Sequence, residues 1–309
     1  MSDRQFMDAA ARTQFEDARR REWIAALTDA LYHAPHDLLA FEEVRQRLQI
    51  HGQRSLGLQT IPLDNIIGSE GRYGDFDRHF LPKTDHTRDR WMNVNKAALQ
   101  YIDLPPIDVY KIGDIYFVRD GNHRISVARR LGQRDIDANV TELLVDVPMT
   151  RELTVDALPL KEEYSDFLEW TQLHTVRPEQ RIEFSESGGY LELIRHINGR
   201  RYFMGLEQQR PIESTEAVVD WYDNIYMPTI AVIRSQNILQ HFPGRTEADL
   251  YRWIMEHRWY MLEKSGGQDP GPALAASDFA QSYATQRWYH GLAQRVSSLL
   301  TFRADGGLD

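Results

Sequence analysis

The residues best placed to do chemistry are Arg119-Asp120-Gly121-Asn122-His123-Arg124, which follow the apolar run Ile115 to Val118. A strand that feeds a helix through a glycine turn leaves backbone N–H groups free at the helix N-terminus. Those groups and the helix dipole favour an anion. Gly121 lets a ligand approach the backbone, because no Cβ intervenes. Arg124 falls in the first turn, where a guanidinium can make paired bonds to phosphate oxygens. His123 offers a second donor. Asn122 can cap the helix or bond a phosphate or sugar oxygen, and Asp120 can hold Arg124, a ribose hydroxyl or a metal. The same residues also read as ordinary turn chemistry with an Asn cap.

Other polar residues gather upstream, in Glu70 and the segment GRYGDFDRHFLPKTDHTRDR. Arg72 is suited to phosphate. Glu70, Asp75 and Asp77 are each suited to a general base or a Mg²⁺ ligand, or to pairing with Arg72 and Arg78. Tyr73 and Phe76 read as anchors of the loop on the core. His79, His86 and His123 fit no metal-ligand spacing, so no protein-built metal site is expected.

The elements that must position these groups follow from pattern. Residues 3–33 show helical periodicity through Phe6, Ala10, Phe15, Ala18, Trp23, Leu27 and Leu31. His36-Asp37 could cap a second helix with Leu38, Leu39, Phe41, Val44 and Leu48 inside. IPLDNIIG predicts one short strand and Trp91 to Tyr101 a helix. Ile107–Tyr110 and Ile115–Val118 form a hairpin around Lys111-Ile112-Gly113-Asp114. Asn122 to Leu131 is a helix ending at Gly132, and Ile136 onward is a closing strand. Beyond residue 150 the pattern is helical: SDFLEWTQL, GGYLELIRHING with a stop at Asn198-Gly199, a long segment split at Pro228, a helix opened by Thr246-Glu247-Ala248-Asp249, and a last one from Asp278 to Leu300. The fold class is therefore α+β: helices at 1–58, a small mixed α/β unit at 59–148 and a mainly helical region at 149–309.

Composition narrows the function classes. The 309 residues include no Cys, which removes disulfides, thiolate metal sites and a Cys nucleophile. No apolar run reaches membrane-spanning length and the N-terminus lacks a signal-peptide core, so a cytoplasmic location and no membrane partner are expected. Net charge is −10, which disfavours DNA. Arg119 to Asp135 nevertheless holds five Arg and two Asp. Such a positive island suits a small phosphate ligand better than a long polyanion.

Asp120-Gly121-Asn122-His123-Arg124, followed by Ser126-Val127-Ala128 and Gly132, resembles the phosphate-binding motif of the ParB/sulfiredoxin superfamily. The likeness extends over about residues 59–148. Ile61 to Ile66 resembles the family's first strand, the segment ending in Arg72 its first nucleotide-contacting loop, and Leu104 to Val109 the approach to the hairpin. The whole chain also resembles a bacterial group that joins such a domain to a helical C-terminal region, FPGRTEADLYRWIMEHRWY at 242–260 being its most distinctive phrase. The resemblance implies nucleotide binding by Arg72, Arg119, Gly121, Asn122, His123, Arg124 and Ser126, with an ATP- or CTP-like nucleotide and Mg²⁺ as ligands. Sulfiredoxin chemistry needs a Cys where Asn122 stands and is excluded. A branch that phosphorylates free serine uses a carboxylate base, which implies Glu70 as catalytic, with Asp120 beside it.

The expected function is thus nucleotide phosphate binding, with NTPase or small-molecule phosphotransferase activity. A non-enzymatic, nucleotide-gated regulatory or DNA-associated module is the alternative, and a turn that binds nothing is the third. A small-molecule or protein partner and a homodimer are compatible with all three. Gly244-Arg245-Thr246-Glu247 could form another anion site but reads better as a helix cap. His257 reads as a hydrogen-bonded structural histidine. The aromatics Trp221, Tyr222, Tyr226, Trp253, Trp259 and Tyr260 read as a C-terminal core or an interface.

Overall fold

Apolar residues on both sides of a strand need cover on both faces. Ile115-Tyr116-Phe117-Val118 meets that need at the centre of a sheet. A computed structural model describes residues 3–32, 37–100 and 102–282. It divides into two units, Met1–Ser165 and Asp166–Asp309. The expected cap at His36, and all of the last expected helix beyond residue 282, lie outside the described residues; 271–282 are helical.

In the first unit, helix α1 (Asp3–Tyr32) is followed by β1 (Leu39–Ala40), α2 (Phe41–Arg47), β2 (Gly52–Pro62) and β3 (Ile66–Ser69). Then come α3 (Arg88–Leu99), β4 (Ile107–Ile112), β5 (Ile115–Asp120), α4 (Asn122–Arg130) and β6 (Asp135–Leu144). The strands form one six-stranded mixed sheet in the order β1-β3-β5-β4-β6-β2. β3 runs parallel to β5, with Ser69 opposite Val118, and β4 and β5 are antiparallel, with Ile112 opposite Ile115. Tyr116 and Val118 join a core with Phe76, Phe80, Ile125 and Ala128. Ile115 and Phe117 face the opposite core of Phe41, Val44 and Leu158. A third cluster of Phe15, Ala18, Trp91 and Val127 seats α1 and α3 on α4.

Two expectations change. Leu39 belongs to a strand, and the second helix starts at Phe41 rather than near Asp37. IPLDNIIG is two strands: β2 ends at Pro62, a 3-10 turn covers Leu63–Asn65, and β3 begins at Ile66. Arg129 fixes that break by donating from Nη2 to the carbonyls of Leu63 at 2.6 Å and Ile66 at 3.2 Å.

Helix α5 (Leu158–Thr171) crosses the boundary between the units. The second unit is helical: α6 (Leu173–Val176), α7 (Gly189–Gln208), α8 (Ser214–Trp221), α9 (Met227–Ser235) and α10 (Glu247–Lys264). Pro228 does split the long segment, through a π-turn at Tyr222–Tyr226. Proline cannot donate to the carbonyl four residues back, and one wider turn relieves the clash. Asn198-Gly199 does not stop α7, which runs nine residues past Gly199. Arg200 to Asp220 at 2.5 Å and Arg201 to the Ile212 carbonyl at 2.6 Å hold the extension in place. The Thr246 capping box is present, with Asp249 closing it, and Arg245 pairs with Glu186, so that corner is a helix cap. His257 bonds Asp278 at 2.7 Å. No helix among the described residues is long and apolar enough to cross a membrane.

Candidate functional site

Parallel strands β3 and β5 end side by side, so the residues after each emerge at the same edge of the sheet. Open α/β sheets bind ligands at such carboxyl ends. Here a cavity of about 410 Å³ lies between Gly71-Arg72 after β3, Arg119 to Arg124 after β5, Arg90 and Val94 of α3, and Leu104-Pro105. Arg90 and Val94, one turn apart, share one helix face. The neighbouring Trp91 is fully buried and donates from Nε1 to Ser126 Oγ at 2.8 Å, which fixes α3 against α4.

The N-terminus of α4 is uncapped. No side chain accepts there, and the first intrahelical bond beyond Gly121 runs from the Ile125 N–H to the Gly121 carbonyl at 3.1 Å. The N–H groups of Asn122, His123 and Arg124 therefore precede the helical ladder. Asn122 lines the cavity and is buried, yet does not cap, and its Oδ1 has no partner among the described residues. Gly121 has φ +119°, and a Cβ there would lie 2.4 Å from Ile107 Cγ2. Sequence suggested that a ligand uses this space; Ile107 fills it.

Four guanidiniums line the cavity and differ in their engagement. Arg124 is committed: Nη1 donates to the Pro105 carbonyl at 2.7 Å and the Pro106 carbonyl at 2.6 Å, and Nη2 pairs with Asp120. Asp120 thus takes the first of the three roles its sequence position allowed. Arg72 shares Asp75 at 3.0 Å with His86, also at 3.0 Å. Arg119 sits 5.8 Å from the Tyr110 ring centroid. Among the described residues, neither Arg90 nor Arg119 has a carboxylate partner. Arg90 went unnoticed in the sequence, because no local signal says that α3 will lie over α4.

The structure places His123, the second donor suggested by the sequence, against the core. It is buried, packs edge-on against Phe76 with centroids 5.3 Å apart, and neither ring nitrogen has a partner among the described residues. Burial, and then the nearby Arg90 and Arg72, push its pKa down to about 4, so the ring is neutral at pH 7. Ser126 is engaged by Trp91 and does not line the cavity. Phe76 anchors the loop as expected, whereas Tyr73 is exposed.

The carboxylates are also sorted. Asp77 is buried and accepts the N–H groups of His79 at 2.9 Å and Leu81 at 2.6 Å, so it shapes the loop. Glu70 is exposed beside the lining Gly71, its N–H bonded to the Val118 carbonyl at 2.9 Å and its side chain without a partner among the described residues. No group of three His, Asp or Glu able to hold a metal occurs among the described residues. The residues present do not build a Mg²⁺ cage.

No family model matches the chain, and neither does any curated protein. Among solved structures it is similar to sulfiredoxin from Arabidopsis thaliana, at 19% identity over 27% of this chain and 82% of that one, TM-score 0.21. It is also similar to a Pnob8-like ParB-N domain, at 10% identity over 77% of this chain and 99% of that one, TM-score 0.21. A second pNOB8-like ParB N-domain structure gives 12% identity, 69% and 79% coverage, and a TM-score of 0.20.

Proposed function

We propose that the cavity at the start of α4 binds the phosphates of a nucleotide of ATP or CTP type. One observation carries the reading: an uncapped helix N-terminus opens into a cavity where Arg90 and Arg119 have no carboxylate partner among the described residues. Three N–H groups ahead of the helical ladder and these two guanidiniums suit a discrete polyphosphate. The motif resemblance of Gly121 to Arg124 supports the same ligand class. Arg72 would join by exchanging Asp75 for phosphate. Arg124 holds the wall of the cavity by tying β5 to Pro105 and Pro106, and would not be the main phosphate ligand. Any Mg²⁺ would arrive with the phosphates, since the protein offers it at most the carboxylate of Glu70.

Turnover would rest on Glu70 as base, in NTP hydrolysis or transfer to a small hydroxyl compound. The non-enzymatic alternative, a nucleotide-gated module, is favoured by a specific observation: Asp75, Asp77 and Asp120 are each engaged by other groups of the protein, so that of the four candidate carboxylates Glu70 alone is without a partner among the described residues.

A thermal-shift series with the four NTPs, their diphosphates and pyrophosphate, with and without Mg²⁺, tests the binding. A saturable rise in Tm that disappears in Arg90→Ala/Arg119→Ala is expected. No rise with any of these ligands at millimolar concentration overturns the reading. Phosphate release abolished by Glu70→Gln, with binding retained, identifies an enzyme; binding without release identifies the regulatory form.

A further inference from the structure

The two edges of the sheet are built differently. At one edge β1 is two residues long, Leu39–Ala40, and runs straight into α2. So short an edge offers little to a further strand. At the other edge β2 runs for 11 residues, Gly52–Pro62, and β6 is its neighbour on one side only. An edge strand of that length presents a row of backbone N–H and C=O groups on its outer side. Most residues of β2 are exposed.

Proteins blunt such an edge with charged side chains, proline or bulges. β2 carries no Asp, Glu or Lys, and no proline before Pro62. Its charged side chain, Arg54, is taken by Glu142 of the adjacent strand at 2.5 Å. A bulge interrupts β2 between Ser55 and Gly57, but Gly57 to Pro62 keep unbroken register with Val140 to Asp135. Within that stretch Leu58 is 62% exposed. Opposite it on β6 stands Asn139, whose amide donates to Asp108 at 2.9 Å. Leu58 therefore has a polar cross-strand partner within the sheet, and a strand added at the outer edge can give it an apolar one.

Charge and symmetry select the occupant. Two copies of a chain of net charge −10 repel each other, so a contact between copies needs a stretch without carboxylates. β2 is such a stretch. An antiparallel strand pair is also its own mate under a two-fold axis. Centred on Leu58, the pairing sets the two Leu58 side chains across from each other, with Leu56 opposite Thr60 and Arg54 opposite Pro62, and brings no like charges face to face.

We infer that β2 pairs antiparallel with β2 of a second copy of this chain, centred on Leu58, so that one sheet continues through both copies. The contact is narrow, at the small end of interface sizes, and fits a reversible dimer of micromolar Kd.

The test follows the full-length chain by sedimentation velocity from about 1 to 200 μM, a range that brackets such a Kd. Monomer and dimer should exchange with concentration. Leu58→Lys sets two ammonium groups across the axis and should weaken association at least roughly tenfold. Leu58 is exposed, so the variant should melt as the parent does, which separates lost pairing from misfolding. Because the chain has no Cys, Leu58→Cys introduces a single thiol at the axis, and mild oxidation should link two copies through it. Val155→Cys, at an exposed position outside β2, is the control and should link far more slowly. The inference is overturned if the chain stays monomeric throughout, which would leave the edge to an extended segment of another protein. It is also overturned if a folded Leu58→Lys associates as the parent does, or if Val155→Cys links as fast as Leu58→Cys.

Discussion

Arg124 and its neighbours Arg90 and Arg119 separate structural from ligand-binding arginines. The Arg124 side chain is 13% exposed and satisfies two proline carbonyls and Asp120. Arg124→Ala should therefore lower stability by about 2–3 kcal/mol without any ligand, read by urea denaturation. The exposed partner Asp120 adds little to that figure. Arg90→Ala and Arg119→Ala should leave the midpoint nearly unchanged and remove the nucleotide-induced shift instead. The reverse pattern would return phosphate binding to Arg124. His123 gives a second residue-scale prediction. Its folded pKa of about 4 lies below the ordinary 6.5. Between those values the unfolded chain binds a proton that the folded chain refuses, so stability rises with pH. The contribution is complete above about pH 6.5 and is lost on acidification toward 4. Denaturation at pH 7 and pH 5 should differ by about 2 kcal/mol from this group, and a folded His123→Leu variant should lose that part of the difference. An equal pH dependence in the variant would mean that the ring is protonated or solvated in the fold.

At the scale of elements, the turn from β5 to α4 is fixed by its glycine. Gly121→Ala combines φ +119° with a contact of 2.4 Å to Ile107 and should destabilise the first unit by about 2–4 kcal/mol. A melting temperature unchanged by this substitution would show that the corner relaxes freely. The strand, turn and helix here were readable from local pattern: a continuous apolar run from Ile115 to Val118, a glycine turn, and helical spacing to Gly132. Asp120 and Arg124, four residues apart, were readable as a possible pair too. What escaped reading depends on tertiary context. The first seven residues of β2 carry no period, because it is an edge strand exposed on most of its length. Leu63–Asn65 breaks IPLDNIIG because Arg129, far along the chain, grips the carbonyls at the break. Asn198-Gly199 looks like a helix stop, yet α7 continues because later residues hold its last turns. The site shows the same division. Gly121 and the helix start were legible, whereas the burial of His123, the Trp91 bond to Ser126 and the approach of Arg90 follow from packing between elements.

For the whole molecule the decisive quantity is charge. The chain carries −10, and Arg90 and Arg119, without carboxylate partners among the described residues, line a space of about 410 Å³ at the start of α4. Duplex binding draws on several phosphate contacts spread along a helix, roughly 6–10 for a strongly salt-dependent protein, and affinity then falls steeply with salt. A concave pocket offers few such contacts at one point, and the net negative charge of the chain repels the rest of the duplex. Labelled duplex DNA, followed by fluorescence anisotropy from about 50 to 200 mM salt, should therefore show no saturable binding, while pyrophosphate and nucleotides still raise the melting temperature. Those small anions should depend on salt only weakly, because few counterions are displaced. A steep salt slope with duplex, removed by Arg90→Ala/Arg119→Ala, would make the same cavity part of a DNA surface and give the regulatory, DNA-associated reading precedence over nucleotide turnover.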